Sequence, residues 1–255
     1  MALPRTGTGV DDMESRRKIP AILHQIWHAV HYPNPPQRYR EGTRSFLAHH
    51  PGWTYKFWDS RSSRKFLSTY YRWFLPTYIG YDQWIKRVDA LRYFLLHFYG
   101  GVYLDMDAEC WKNIEPLLGD YGFVGCSNYR FPGEVGNGFL AASPGHPLLD
   151  QILTALSPSA RKNAEDSTGT AFLGKQVRKF ANASGDVKIH PAHCAYPQDA
   201  TGTWRVNRDH PEIYLWNYMD GMWHKPVPKP RILRLMGRGR NMLISLFYRM
   251  SAKIK

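Results

Sequence analysis

The chain has 255 residues, of which 43% are hydrophobic, 15% aromatic and 22% charged. That length supports one large domain, or two small ones, with a buried core, and the composition excludes disordered and fibrous classes. The net charge is +13, but nine basic and no acidic residues lie between Lys225 and Lys255, which leaves +4 for the first 224 residues. A surplus gathered in a tail speaks for an anionic surface there, or for a solubilising tail, before it speaks for the basic stripe of a nucleic-acid binder, so no nucleic-acid partner is expected.

Residues 1–18 read as a polar lead with no apolar signal region. Ile19–Trp27 predicts a buried strand, the Pro-rich stretch at 32–36 a loop, and residues 37–49 a helix. A second strand is predicted over Trp53–Asp59, where Trp53, Tyr55 and Phe57 alternate with Thr54 and Lys56 and should share a buried face. Residues 61–75 look helical. The clearest helix runs from Trp84 to Tyr99, with apolar positions 85, 88, 91, 95 and 98 and a Gly100-Gly101 stop. Val102–Asp105 reads as a strand. Further strands are predicted near 122–127, 137–142 and 187–190, a helix near 147–156 behind Pro147, a polar loop over 157–170, and an irregular region out to 224. This alternation implies a single α/β domain over 19–224 with a mixed, mainly parallel sheet flanked by helices, followed by the 225–255 tail. The three cysteines, Cys110, Cys126 and Cys194, are far apart and read as small buried apolar residues. No stretch has the roughly 20 apolar residues of a membrane span.

The chemistry gathers between residues 87 and 107. Asp105 and Asp107 stand at i and i+2 where an apolar strand runs out. Such a pair meets one hard cation and leaves its other positions to diphosphate oxygens and water. With 14 Asp in the chain, about one Asp-x-Asp arises by chance, so the context decides. Strand ends are where crevices form in open α/β sheets. On the preceding helix Asp89, Arg92 and Tyr93 share one face. Spacing alone leaves two readings open there: a solvated ion pair, or an acid and a cation turned into the same crevice.

Taken together, Ile19-Pro, His24-Gln-Ile-Trp27, Asp89-Ala-Leu-Arg92-Tyr93, Tyr99-Gly-Gly-Val-Tyr-Leu-Asp105-Met-Asp107 and Asn137-Gly-Phe with the later Ser-Pro-Gly-His146-Pro resemble the family 32 glycosyltransferases. That family includes fungal α-mannosyltransferases and the mannosyltransferases of inositol phosphorylceramide; a more distant similarity is to the glucosylating domains of large bacterial toxins. The resemblance implies a GT-A-type fold, a UDP- or GDP-hexose donor, Mn²⁺ or Mg²⁺, retention of the donor's α configuration, and a glycan or lipid-linked acceptor. It implies Asp89, Arg92 and Asp107 as catalytic residues and Asp105 and Asp107 as the metal pair. Ile26 and Trp27 would lie against the base, Asp89, Arg92 and Tyr93 would grip the donor, and Asn137 and Gly138 would form the floor.

Thr168-Gly169-Thr170 matches a turn in which relatives carry Pro last, and relatives often have His where Asn217 and Tyr218 stand. Asn217 would then serve as the third metal ligand, with Asp220 or His224 as substitutes, and Trp223 would contact the diphosphate side. The missing His keeps a second reading open, a nucleotide-sugar-binding module impaired in turnover. No dedicated nucleophile stands at a telling position, which favours front-face attack by the acceptor. The tail from Arg231 to Lys253 interleaves bases with an apolar run and suits an interfacial helix on an anionic membrane, implying peripheral membrane association at the Golgi/ER or a cytoplasmic face.

Overall fold

The computed structural model describes residues 18–28, 34–128, 133–156, 163–181, 185–196 and 208–220. The predicted lead up to residue 17 and the C-terminal tail lie outside the described residues. The elements are β1 (Ile22–Ile26), α1 (Gln37–His49), β2 (Thr54–Trp58), α2 (Ser60–Tyr70), α3 (Leu75–Gly80), α4 (Trp84–Tyr99), β3 (Gly101–Leu104), β4 (Ala108–Cys110), α5 (Glu115–Leu118), β5 (Phe123–Ser127), β6 (Val135–Ala142), α6 (Pro147–Ala155), α7 (Ala164–Ser167), α8 (Thr170–Ala181), β7 (Val187–His190) and β8 (Leu215–Asn217).

Six strands form one sheet in the order β2-β1-β3-β6-β5-β7, and β4 and β8 pair separately. β1 is parallel to β2 and β3, β5 is parallel to β7, and β6 is antiparallel to both of its neighbours. This is the mixed, mainly parallel sheet that the alternation of elements predicts. Side chains divide between the faces with the strand period of two. Tyr103, Phe123, Leu140 and Ala142 enter a core with α2, α3, α4, α6 and α8, whereas Leu23, Val102, Leu104, Val124 and Phe139 face α1 and α5. The chain order reverses between β1 and β3, and ligand crevices in such sheets open beyond the carboxyl ends at that point.

α4 carries the site and is buried almost all round. Its buried residues run from Val88 to Leu96 without a gap and include Asp89 and Arg92. Gly100 ends it at φ 64°, ψ −160°, a region essentially reserved for glycine. A Cβ on Gly101 (φ 93°) would stand 2.6 Å from the Ile22 carbonyl oxygen. The two glycines therefore let the chain reverse tightly against β1, so that β3 runs back and delivers Asp105 near the start of α4. Beside this turn, buried His24 accepts from the Trp58 indole at Nδ1 and donates from Nε2 to the Gly100 carbonyl, at 3.2 and 3.0 Å. Burial pulls its pKa down to about 4, which keeps the imidazole neutral, as that tautomer requires.

Several expectations need correction. Of the three residues expected on a buried face Trp53 is buried, but Tyr55 and Phe57 are 36% and 41% exposed, and Trp58, of the opposite parity, is buried. β2 is the sheet's edge, where alternation shows that one face differs from the other but not which is covered. The helix predicted over 61–75 ends at Tyr70 as α2, and a separate helix, α3, begins at Leu75 with Pro76 in its first turn. The loop predicted over 157–170 contains α7, capped by the Asn163 side chain on the Asp166 N–H. α8 was not anticipated, and the irregular region yields β8. All three cysteines are buried and unpaired.

Candidate active site

Where β3 ends, Asp105 meets the face of α4 that carries Asp89 and Arg92. The Arg92 guanidinium donates to Asp89 Oδ1 (2.5 Å), to the Asn137 carbonyl (2.5 Å) and, more weakly, to Asp105 Oδ1 (3.4 Å). The Tyr103 ring lies 4.4 Å from the guanidinium carbon, and its hydroxyl donates to Asp105 Oδ1 at 2.6 Å. Asp89 also accepts from the Asn137 amide and from the Thr168 hydroxyl, at 3.0 and 3.2 Å. Tyr93 is fully buried and donates to the Thr168 carbonyl at 2.8 Å. Of the two readings that spacing left open for Asp89 and Arg92, the solvated pair is excluded. Their side chains are 5% and 2% exposed.

The electrostatics are lopsided. Burial, reinforced by Asp105 and opposed by Arg92, pushes the Asp89 carboxyl up to about 6. Burial, and then the neighbouring Asp105 carboxylate, holds Asp107 well above the ordinary carboxylate range. Burial works against the Arg92 charge, but Tyr103, Asp89 and Asp105 outweigh it and keep the guanidinium protonated. Three carboxylates thus share one buried cation, so a further positive charge is favoured there. The Arg92 Nε–H finds no acceptor among the described residues.

The segment after β8 closes the other side. Tyr218 N–H donates to the Asp107 carbonyl and Asp220 N–H to Asp107 Oδ2, both at 2.8 Å. Asn217 is buried, and its Oδ1 accepts from the Met219 N–H at 2.9 Å. The intervening Met219 has φ 51°, unusual for a residue with a side chain. Asp220 in turn accepts from the Tyr39 hydroxyl at 2.7 Å and pairs with Arg38. A Cβ on Gly138 would lie 2.6 Å from Asp105 Oδ2 and 2.8 Å from Asn217 Nδ2, so the bare glycine is what allows Asp105 and Asn217 to converge. Trp27, 8% exposed, meets the Tyr39 ring edge-on at 5.7 Å, and Ile26 is buried beneath it in the core. Trp223 lies outside the described residues. Among the described residues no three His, Cys, Asp or Glu side chains gather as a metal cage.

The family described as "Glycosyltransferase sugar-binding region containing DXD motif" matches residues 36–124, which include α4, β3 and both aspartates. Inositol phosphoceramide mannosyltransferase 1 of Schizosaccharomyces pombe is 37% identical over 69% of this chain and 56% of its own length. Mannosyl phosphorylinositol ceramide synthase SUR1 of Saccharomyces cerevisiae is 35% identical over 69% of this chain and 47% of its own length. The chain is a relative of fungal mannosyltransferases and carries the glycosyltransferase DXD region. It spans about half the length of these curated relatives. Its fold, of the GT-A type, is similar to that of the solved PaToxG glycosyltransferase, with a TM-score of 0.52, 18% identity, and coverage of 65% of this chain and 70% of that one.

Within this DXD-region protein, Asp89, Arg92, Asp105, Asn137, Gly138 and Thr168 form one contact network, and Asp107 and Asn217 border it. Sequence reasoning missed Arg38 and Tyr39. The available signal was the buried series Tyr39, Gly42, Thr43 and Phe46 at helical spacing on α1, which marks an inward stripe but not the fact that its first turn ends at the acid pair. Thr168 was legible only as a doubtful turn match, yet it holds both Asp89 and Tyr93.

Proposed function

We propose that this chain is a metal-dependent, retaining hexosyltransferase that moves mannose, glucose or galactose from a UDP- or GDP-sugar to a glycan or lipid-linked acceptor at a membrane surface. One observation carries the reading: the buried Asp89–Arg92 pair reaches half-buried Asp105, which stands beside a second half-buried carboxylate, Asp107, at the sheet's switch point. The relatives' names make mannose and an inositol phosphoceramide the first donor sugar and acceptor to test.

The donor set fits a hard divalent cation. Asp105 and Asp107 offer carboxylate oxygens. Asn217 gives its Oδ1 to the Met219 N–H and turns Nδ2 toward Asp105, so it would join as a ligand only with its amide oxygen turned inward. Phosphate oxygens and water would fill the rest. Bound Mn²⁺ or Mg²⁺ would neutralise charge developing on the departing diphosphate without proton transfer. The protein's own part is preorganisation. Arg92 is fixed by Asp89 and the Asn137 carbonyl before substrate arrives, so it presents positive charge without reorganising. Asp89, with Thr168 behind it, would accept donor-sugar hydroxyls. Tyr93 would act through the Thr168 turn, Gly138 and Asn137 would form the floor, Ile26 and Trp27 would flank the base, and Trp223 would take the diphosphate side. Front-face attack by the acceptor hydroxyl would then retain the anomeric configuration.

The test is nucleotide release from a panel of UDP- and GDP-sugars with Mn²⁺, with and without an inositol phosphoceramide acceptor. Release from one donor that is abolished by EDTA and by Asp107→Asn is the expected result. Metal-dependent donor binding with no release under any acceptor condition would instead favour the impaired binding module.

A further inference from the structure

Among the described residues six large hydrophobic side chains are exposed, and four of them, Tyr70 (52%), Trp73 (63%), Ile79 (50%) and Phe98 (38%), belong to α2, α3, the turn between them, or the end of α4. Three of them, Tyr70, Trp73 and Phe98, are linked through rings. Tyr70 lies 4.2 Å from Phe98, Phe98 lies 4.7 Å from Tyr99, and the Lys56 ammonium sits 4.8 Å above Tyr99. Trp73 leans on Phe94 at 6.0 Å, and Phe94 on Tyr71 at 4.7 Å. At the other end Arg87 holds the Ile79 and Tyr81 carbonyls, at 2.9 and 2.8 Å, two residues before Asp89. The face therefore runs along α4 from its C-terminal end back toward the site.

Its charge is one-sided. Residues 60–81 contain Arg61, Arg64, Lys65 and Arg72, all exposed, and no acid. The nearest acids in sequence are engaged: Asp59 caps α2 through Ser62, and Asp82 pairs with Lys86. Asp150, at the edge, pairs with His97. Exposed Trp and Tyr fringed by Lys and Arg is the composition that settles at an anionic bilayer surface. A second copy would bring the same four bases against these. The 225–255 segment, with nine bases and no acid, is likewise not complementary in charge.

We propose that the α2–α3 face docks the protein on an anionic lipid bilayer, independently of the C-terminal tail and of the transfer reaction. The experiment is sedimentation of the full chain with phosphatidylcholine vesicles, with and without phosphatidylserine. Three variants are compared: Tyr70→Ser with Trp73→Ser; Arg64→Glu with Arg72→Glu; and a tail variant with Arg231, Arg234, Arg238 and Arg240 each changed to Gln. The altered face residues are exposed, and unchanged thermal midpoints will confirm that the variants fold. Salt-sensitive binding confined to the anionic vesicles, weakened on the order of tenfold in both face variants and kept by the tail variant, is expected. Wild-type affinity in both face variants, loss in the tail variant alone, or no binding of the wild type would overturn the proposal. So would a dimer in solution that the Tyr70/Trp73 variant abolishes while vesicles are ignored, which would assign the face to a second copy.

Discussion

On the α4–β3 side of the acid pair, Asp89, Arg92 and Asp105 come from one run of 17 residues, and Asp89 and Arg92 sink into a layer closed by the sheet and its helices while Asp105 stays half-buried at its rim. Across the pair, Asn217 and Asp220 arrive from more than a hundred residues away, at and just past the end of a two-stranded ribbon, and the partners of Asp220, Arg38 and Tyr39, come from the first turn of α1. The first half is rigid because burial punishes any unpaired charge. The second is held by a few rim hydrogen bonds and one ion pair, whose Arg38 side chain is 50% exposed. The difference suggests a division of labour: one wall is built before any ligand arrives, and the other is inexpensive to move.

The largest expected effect lies on the rigid side. Asp89→Asn turns an amide N–H against donors from Thr168, Asn137 and Arg92, so denaturant titration should show a loss of about 2–4 kcal/mol from the unsatisfied buried donors. A loss below 1 kcal/mol would mean that the network is not the wall described. Next comes Gly138→Ala. Its backbone tolerates a side chain, but the new methyl displaces the Asp105 carboxylate and the Asn217 amide. Activity should fall about 10²-fold, as ångström misplacements do, with the thermal midpoint nearly unchanged.

A smaller effect follows from pH. The folded-state pKa of Asp89 is raised from its ordinary value to about 6. Between about pH 4 and 6 the folded protein therefore keeps a proton that the unfolded chain has released. In chelator, stability should fall as pH rises through that window, by about 1–3 kcal/mol, with Asp107 extending the fall. Acids held below their ordinary range, such as Asp59 and Asp186, act in the opposite sense at lower pH. A midpoint that climbs steadily from pH 4 to 7 would contradict the buried-acid picture. The smallest effect is on the rim: Tyr39→Phe removes one hydrogen bond to Asp220 and should cost about 1 kcal/mol, read as a slight shift in melting.

This division also explains what the sequence made legible. The Trp84–Tyr99 helix, its glycine stop and the acids beyond it are contiguous, so spacing put Asp89 and Arg92 on one helix face shortly before Asp105 but left open whether that face turns to solvent or into the same crevice. β4 and β8 have three residues each, too short for any periodicity, and their pairing is a tertiary event. Tyr39 begins a stripe that reads simply as core. Tyr55 and Phe57 misled because alternation at an edge strand does not say which side is covered.

The most direct test of the central claim, that the acids after β3 hold a divalent ion which grips a nucleoside diphosphate, is calorimetric binding of GDP and UDP with and without Mn²⁺, in the wild type and in Asp107→Asn. The account predicts that Mn²⁺ tightens binding of one nucleotide by at least tenfold in the wild type, and that the variant, folded and as stable or more so, loses this gain. Equal binding with and without Mn²⁺, or an undiminished Mn²⁺ effect in the variant, would contradict it.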